Sequence, residues 1–272
     1  MNPSTQEIGR TSSTLRRLLA AGVVLASVGA QAAPITSQGT WATTLLGRDA
    51  AGKPVDLLAS GNPNPALKYV YDTRLDLTWL ADWNAGAGTS FDNGASTTDG
   101  AMTWASAQAW AASLTDFGGG WVLPAVRDTG SAGCNQANAG TDCGYNVYGS
   151  ETARRDSPLA HMFYDTLGNR GLFDAAGNIQ SGSGLINTGP FSNMAAALYW
   201  TGSAYPQSPA GLAWDFQTDW GFQFYGNAAS ASFAVAVRSG DVFTGAVPEP
   251  DAWALLGLAF GALAWVRRRW SL

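Results

Sequence analysis

The chain has 272 residues, of which 46% are hydrophobic and 13% are charged, and its formal net charge is −5. Residues 33–245 contain nine Lys and Arg against seventeen Asp and Glu, a balance of −8. Such an acidic segment argues against generic attraction to nucleic acid or to anionic polymers, but it leaves neutral glycans open, because these are bound through hydrogen bonds and aromatic stacking. Its length is sufficient for one sizeable domain.

The N-terminus has the pattern of a secretory signal peptide. Arg16 and Arg17 precede an apolar run over 18–29, and Ala30-Gln31-Ala32 places small residues where a signal peptidase reads them. We therefore expect residues 1–32 to be removed by signal peptidase, with cleavage after Ala33 as the alternative.

The next segment, 33–67, is of mixed character and ends in the turn-forming residues of 61–65. Two strand-like runs over 68–72 and 75–80 then predict a hairpin. Residues 82–100 have no periodicity and are rich in Gly, Asn, Ser, Thr and Asp, which predicts a long loop.

A first helix follows, with Asp99 or Thr103 as its cap and the glycines of 118–120 as its end. Its apolar face is formed by residues at helical spacing, namely Trp104, Ala107, Trp110, Ala111 and Leu114. After it, residues 121–123 read as a short buried strand.

A second helix begins with Ser157 as cap and Pro158 in the first turn, and Gly168 ends it. Its apolar face contains Leu159, Met162, Phe163 and Leu167. His161, the only histidine of the chain, lies off this face, so we expect a solvent-facing or hydrogen-bonded residue rather than a catalytic one.

Cys134 and Cys143 are the only cysteines. An exported chain meets an oxidising compartment, so a disulfide that closes this short Gly/Asn-rich loop is expected. Metal binding by two cysteines and one histidine lacks both ligands and spacing, and no metal site is predicted.

Four short aromatic or β-branched runs predict strands over 198–201, 212–216, 221–225 and 233–238. In the second run, Leu212, Trp214 and Phe216 alternate with less apolar residues, as in a half-buried antiparallel strand. The predicted class is α+β, a single domain with a small antiparallel sheet, two helices and long loops.

Several motifs in register over 68–245 resemble the Lcl C-terminal-like domain family, in the branch that precedes PEP-CTERM tails. They are Tyr71-Asp72 with Leu77-Thr78-Trp79, Met102-Thr103-Trp104-Ala105, Trp121-Val122-Leu123-Pro124, Tyr199-Trp200-Thr201-Gly202-Ser203 and Val235-Ala236-Val237-Arg238 with Gly240-Asp241. The resemblance implies a C-type-lectin-like fold and polysaccharide binding. Two departures are Val122, where the family usually has Arg, and the insertion over 127–149.

No catalytic or cofactor motif is present: GxSxG, HExxH and a phosphate-binding glycine loop are all missing. Asp215 and Asp219, beside Trp214 and Trp220, are the candidate pair for a glycosidase. We nevertheless expect both to be solvated surface acids. The same pair, or Asp72 with Asp76, is the alternative for a Ca²⁺ site. We expect no catalytic residue, cofactor or metal.

Tryptophan is abundant, and most of it is expected in the core, at Trp79, Trp104, Trp110, Trp121 and Trp200. Three tryptophans lie nearer to predicted loop ends: Trp83, Trp214 and Trp220. Together with Tyr205 and Tyr225, these three are the candidates for a glycan-binding surface.

The last stretch, 246–272, has the order of a sorting signal. Pro248-Glu249-Pro250 precedes fifteen uncharged residues over 252–266, and Arg267, Arg268 and Arg269 follow. As a helix the apolar part is roughly 23 Å long, a minimal transmembrane span with snorkelling arginines on the cytoplasmic side. The tail resembles the PEP-CTERM sorting signal, which implies processing by an exosortase; a plain membrane anchor or a buried helix are the alternatives.

Together these features predict a non-enzymatic protein that is exported through the inner membrane, held there transiently, and then placed at the cell surface or in an extracellular matrix with exopolysaccharide. Its expected partners are signal peptidase, exosortase and polysaccharide, with no nucleic acid. The alternatives are a membrane-anchored adhesin that binds protein partners and a secreted glycan hydrolase.

Overall fold

The computed structural model describes residues 33–130, 138 and 140–243. The predicted signal peptide at 1–32, Cys134 and the predicted tail at 246–272 lie outside these residues. In the described part, antiparallel sheets and short helices share one large hydrophobic cluster, which confirms the predicted mixture of helix and sheet.

The strands in chain order are β1 (Leu45–Arg48), β2 (Pro54–Val55), β3 (Leu58–Ala59), β4 (Asn62–Pro63), β5 (Tyr69–Asp72), β6 (Leu77–Leu80), β7 (Gly144–Tyr145), β8 (Leu198–Ala204), β9 (Leu212–Gln217), β10 (Phe222–Asn227) and β11 (Val237–Ser239). The helices are α1 (Trp41–Thr44), α2 (Trp104–Ser113), α3 (Glu151–Arg154) and α4 (Pro158–His161). A 3-10 turn at Asp116–Gly118 and a π-helical turn at Met162–Thr166 complete the regular elements that the structure describes.

The first sheet has the strand order β11-β6-β5-β1-β2, and all its pairs are antiparallel. The predicted hairpin is its centre, because Tyr69 pairs with Leu80 and Asp72 pairs with Leu77. Strand β1 pairs with β5 along its whole length, so the segment 33–67 contributes strands to the same sheet as the predicted domain at 68–245.

The second sheet has the order β7-β10-β9-β8, again antiparallel, and β3 with β4 forms a small separate ribbon. The expectation of one small sheet is therefore corrected to two main sheets. The sequence pattern located the strands near residue 70 and those near residue 215, but it could not tell that the two groups belong to different sheets.

Helix α2 agrees with the prediction in its cap and its apolar face, but it ends at Ser113, before the predicted stop at 118–120. The Thr103 hydroxyl caps it by accepting a hydrogen bond from the Ser106 amide at 3.4 Å. Ala107, Trp110 and Ala111 are buried, whereas Trp104 and Leu114 pack against the core in part.

The second predicted helix is present as α4 followed directly by the π-helical turn. Its expected apolar residues are all buried. Ser157 occupies the predicted N-cap position, but its side chain makes no capping hydrogen bond; its hydroxyl donates to the Tyr148 hydroxyl at 2.8 Å. Gly168 follows with a φ of 68°, a backbone conformation that favours glycine.

Three local predictions need correction. Residues 121–123 form only an isolated bridge through Val122 to Val237, and Val122 is 56% exposed. The run 233–238 is regular only from Val237. Strand β9 is buried from Ala213 to Phe216 without alternation, because other elements cover both faces of the sheet there.

The longest helix that the structure describes is α2, with ten residues. Within the described ranges, no helix is both long and apolar enough to cross a membrane. The apolar run over 252–266 lies outside those ranges.

Candidate functional site

A concave surface with aromatic walls lies on the second sheet. It is a cleft of about 610 Å³, which we call the aromatic cleft. Its lining consists of Asn138, Tyr145, Phe173, Gly177, Gln217, Trp220, Phe222 and Phe224. The floor comes from β7, β9 and β10, and one wall comes from the irregular segment around Phe173.

The rings of the floor form a row. The centroids of Tyr145 and Phe222 are 4.7 Å apart, and those of Phe222 and Phe224 are 5.5 Å apart in a stacked arrangement. Phe222 and Phe224 occupy alternate positions of β10, and therefore point to the same side of the sheet. Tyr145 joins them because it pairs with Phe222 across β7 and β10.

The turn between β9 and β10 presents Trp220. Gly221 closes this turn with a φ of 64°, and its amide donates to the Gln217 carbonyl at 2.8 Å. The hydroxyl of Tyr164 donates to the Gly221 carbonyl and fixes the turn from the core side. As a result Trp220 is 48% exposed at the edge of the cleft.

Hydrogen bonds hold the opposite wall in place. The Leu172 amide donates to the Trp220 carbonyl at 2.8 Å. The side-chain amides of Asn146 and Gln180 both donate to the Phe173 carbonyl, at 2.9 Å and 3.1 Å. The Phe173 ring meets Tyr145 edge to face at 5.0 Å. The cleft is therefore a preformed surface.

Polar groups accompany the rings. The side chain of Gln217 lines the cleft, and its Oε1 is buried without a hydrogen-bond partner among the described residues. Burial raises the pKa of the Tyr145 hydroxyl, and the nearby charge of Asp219 adds a smaller contribution in the same direction. A phenol hydroxyl thus lies beside a set of aromatic faces.

Of the three tryptophans predicted to bind glycan, only Trp220 presents its ring to solvent. Trp83 is 1% exposed and lies inside the core, where it stacks on Trp79 at a centroid distance of 5.6 Å. Trp214 is 2% exposed in a second, smaller cluster. The structure thus revises the expectation for Trp83 and Trp214, because packing on both sides leaves no ring face for a sugar.

Tyr205 and Tyr225, the two tyrosines predicted to belong to the glycan-binding surface, also pack in the second cluster. Their rings stack on each other at 3.9 Å, and Tyr205 meets Trp214 at 5.2 Å. Tyr205 is buried and Tyr225 is half-buried. Sequence reasoning missed Tyr145, Phe173, Phe222 and Phe224; the period-two spacing of Phe222 and Phe224 was the available signal.

Asp215 is not a solvated surface acid. It is 2% exposed and Oδ1 has no hydrogen-bond partner in the described structure. Burial raises its pKa to about 7. Asp215 pairs with Phe224 across the sheet, so it shares the face of the cleft but lies further inside, beside Trp200. Asp219, in the turn, is half-buried.

The other candidate acids have structural partners. Asp72 Oδ1 accepts from the amides of Arg74 and Leu75, and Asp76 Oδ1 accepts from the Tyr71 hydroxyl at 2.7 Å. These bonds shape the β5–β6 turn. The described residues contain no cluster of three or more His, Cys, Asp or Glu side chains that could hold a metal ion.

His161 is 1% exposed, so the solvent-facing alternative is wrong and the hydrogen-bonded alternative is confirmed. Its Nε2 lies 3.2 Å from Glu151 Oε1 and its Nδ1 lies 3.2 Å from Thr166 Oγ1. Thr166 is itself fully buried. Cys143 is buried as well, but Cys134 lies outside the described residues, so the disulfide stays a prediction.

The C-terminal residues match a known family. Residues 246–269 match the model of the PEP-CTERM protein-sorting motif. The match includes Pro248, Glu249, Pro250 and Arg267 to Arg269, all outside the described structure. It supports an exported protein that is processed by an exosortase and sorted at the membrane towards the cell surface.

No curated protein and no solved structure matches the chain. The resemblance of residues 68–245 to the Lcl C-terminal-like domain stays a prediction.

Proposed function

We propose that this chain is an exported bacterial envelope protein that an exosortase processes at its tail, and that its folded part binds polysaccharide through the aromatic cleft without cleaving it. The single observation that supports the binding role is the open row of rings around Trp220. In this proposal, signal peptidase removes residues 1–32, and the inner membrane holds the chain through 252–266 until the tail is processed.

Sugar recognition follows from the chemistry of the cleft. The faces of pyranose rings carry C–H groups that pack on aromatic rings, and the hydroxyls need polar partners. Trp220 and the Phe222–Phe224 pair offer ring faces, whereas the Asn138 side chain and the Tyr145 hydroxyl offer hydrogen-bonding groups. Because the cleft is preformed, little conformational entropy is lost on binding.

The Lcl C-terminal-like assignment of residues 68–245, with its C-type-lectin-like fold, belongs to the same proposal. The order of the aromatic motifs in the sequence supports it. Two antiparallel sheets with few helices are compatible with a lectin-like architecture. The insertion over 127–149 contributes Tyr145 and Asn138 to the cleft, so this chain would bind its ligand with residues outside the shared motifs.

A binding role without catalysis agrees with the placement of the acids. A glycosidase needs two carboxyl groups that both reach the scissile bond. Asp215 has the raised pKa of a general acid, but it lies beside Trp200 with 2% exposure and does not line the cleft. A secreted hydrolase is therefore the second candidate, and an Asp215→Asn variant that still released sugar from chromogenic glycosides would remove Asp215 from that role.

The experiment that tests binding compares the secreted protein with its Trp220→Ala variant on a panel of polysaccharides by affinity electrophoresis. We expect the variant to lose about tenfold or more in affinity, because an exposed aromatic anchor is truncated. Phe243→Ala is the matched control, since Phe243 is 40% exposed and does not line the cleft. Equal retardation of all three proteins would exclude the aromatic cleft as the binding surface.

A further inference from the structure

The lining of the aromatic cleft contains no positive charge among the described residues. Its polar members are Asn138, Tyr145 and Gln217. The neighbouring residues 131–137 and 139, which the structure does not describe, include no charged residue in the sequence. The known lining therefore contains no lysine, arginine or histidine that could neutralise an anionic ligand.

A negative charge lies close to this lining. Asp219 precedes Trp220 in the β9–β10 turn, and its charge contributes to the raised pKa of Tyr145. Its Oδ1 is buried and has no hydrogen-bond partner in the described part of the chain. None of the salt bridges that the described residues form involves Asp219. Burial raises the pKa of the Asp219 carboxyl. This carboxyl thus lies in the turn beside Trp220 and has no salt-bridge partner among the described residues.

From this arrangement we infer that the aromatic cleft selects neutral glycans and rejects those that carry carboxylate or sulfate groups. The inference rests on the proposed function and names the substrate class of the same site. A neutral sugar offers C–H faces to the rings of Trp220 and Phe222 and a hydroxyl group to the Tyr145 hydroxyl. A uronate places a second negative charge near Asp219, in a partly desolvated cleft where charges interact more strongly than in water.

The test measures the affinity of the secreted protein for neutral oligosaccharides and for oligogalacturonates of the same length, by isothermal titration at low ionic strength. The neutral probes are cello-, malto- and N-acetylchito-oligosaccharides. We expect the best neutral probe to bind at least about tenfold more tightly than the galacturonate. The gap narrows when salt is added, because the ions screen the repulsion.

Asp219→Asn removes the charge with little change of shape. It is expected to raise the affinity for oligogalacturonate by roughly three- to tenfold and to leave the affinity for the neutral probe within about twofold. Asp56→Asn serves as the control, because Asp56 is exposed and does not line the cleft. Retained binding of the neutral probe verifies that the variant is folded.

Two results would overturn the inference by different routes. If galacturonate binds as tightly as the neutral probes, or if Asp219→Asn leaves the preference unchanged, charge selection fails while glycan binding stands. If neither class of probe binds to the folded protein, the proposed function fails together with the inference.

Discussion

Two aromatic groups in this molecule contain similar residues and have opposite surroundings. In the core, Trp83 stacks on Trp79 and touches Phe191 and Tyr199, and all four are buried. In the aromatic cleft, Trp220 and the rings of β7 and β10 keep one side open. The tight turn at Gly221, rather than the residue type, therefore makes Trp220 available to a ligand.

The largest expected effect breaks the core group. Trp83→Ala should lower the free energy of unfolding by about 3–5 kcal/mol, because it leaves a cavity where the ring was packed. Trp220→Ala should change the same quantity by less than about 1 kcal/mol, because its ring is already half in water. Urea denaturation of both variants measures the difference. Similar losses would mean that Trp220 is a structural residue.

A milder substitution at Trp83 tests how much the indole N–H alone contributes to the stability of the core group. The Trp83 Nε1 is buried without a hydrogen-bond partner among the described residues. Trp83→Phe removes this unsatisfied N–H and keeps part of the ring, so it should cost clearly less than Trp83→Ala in the same denaturation experiment.

The next prediction concerns Asp215, which lies in the buried part of strand β9. Its pKa rises from 3.8 to about 7 in the folded protein. The folded state therefore binds more protons between these values, and stability falls as the pH rises through this window. Asp215→Asn should add roughly 4 kcal/mol to the free energy of unfolding at about pH 8 and little at about pH 4, because a rise of about three pKa units is worth about 1.4 kcal/mol per unit.

Thermal unfolding across this pH range checks the prediction, with Asp56→Asn as the exposed control. A variant that is no more stable than the parent protein at the higher pH would mean that the Asp215 carboxylate has a partner outside the described residues.

The smallest expected effect concerns the turn that presents Trp220. A Cβ at Gly221 would lie 2.6 Å from a Phe163 ring atom, and the φ of 64° disfavours other residues. Gly221→Ala should destabilise the protein by roughly 1–2 kcal/mol and weaken glycan binding more than this loss of folded protein explains. Denaturation and titration of the same sample separate the two. An unchanged affinity would disconnect the turn from the site.

Local sequence patterns were sufficient for several elements. The hairpin over 68–80, α2 and the apolar face from Leu159 to Leu167 were predicted because their spacing is set by neighbours a few residues away. The sorting motif was identifiable because its three parts occur in a fixed order within 246–269.

Those local patterns could not predict long-range packing. Trp83 lies at a predicted loop end, and only the fold brings Phe191 and Tyr199 onto it. Asp215 was expected to be a solvated surface acid, but the chain before α2 reaches this sheet: the indole N–H of Trp200 donates to the Met102 carbonyl at 2.8 Å. The cleft itself joins residues from 138 to 224, a distance in sequence that periodicity does not cover.

In the proposed function, the tail delivers the folded part to the outside of the cell and is then removed. The most direct measurement is the intact mass and location of the protein in a host that has an exosortase, for the parent chain and for Glu249→Ala. We expect the parent chain to lose the apolar segment after about Pro250 and to leave the membrane, while the variant keeps both segment and membrane location. If both proteins retain the segment, the tail is a permanent anchor, and the account of export through a sorting signal is contradicted.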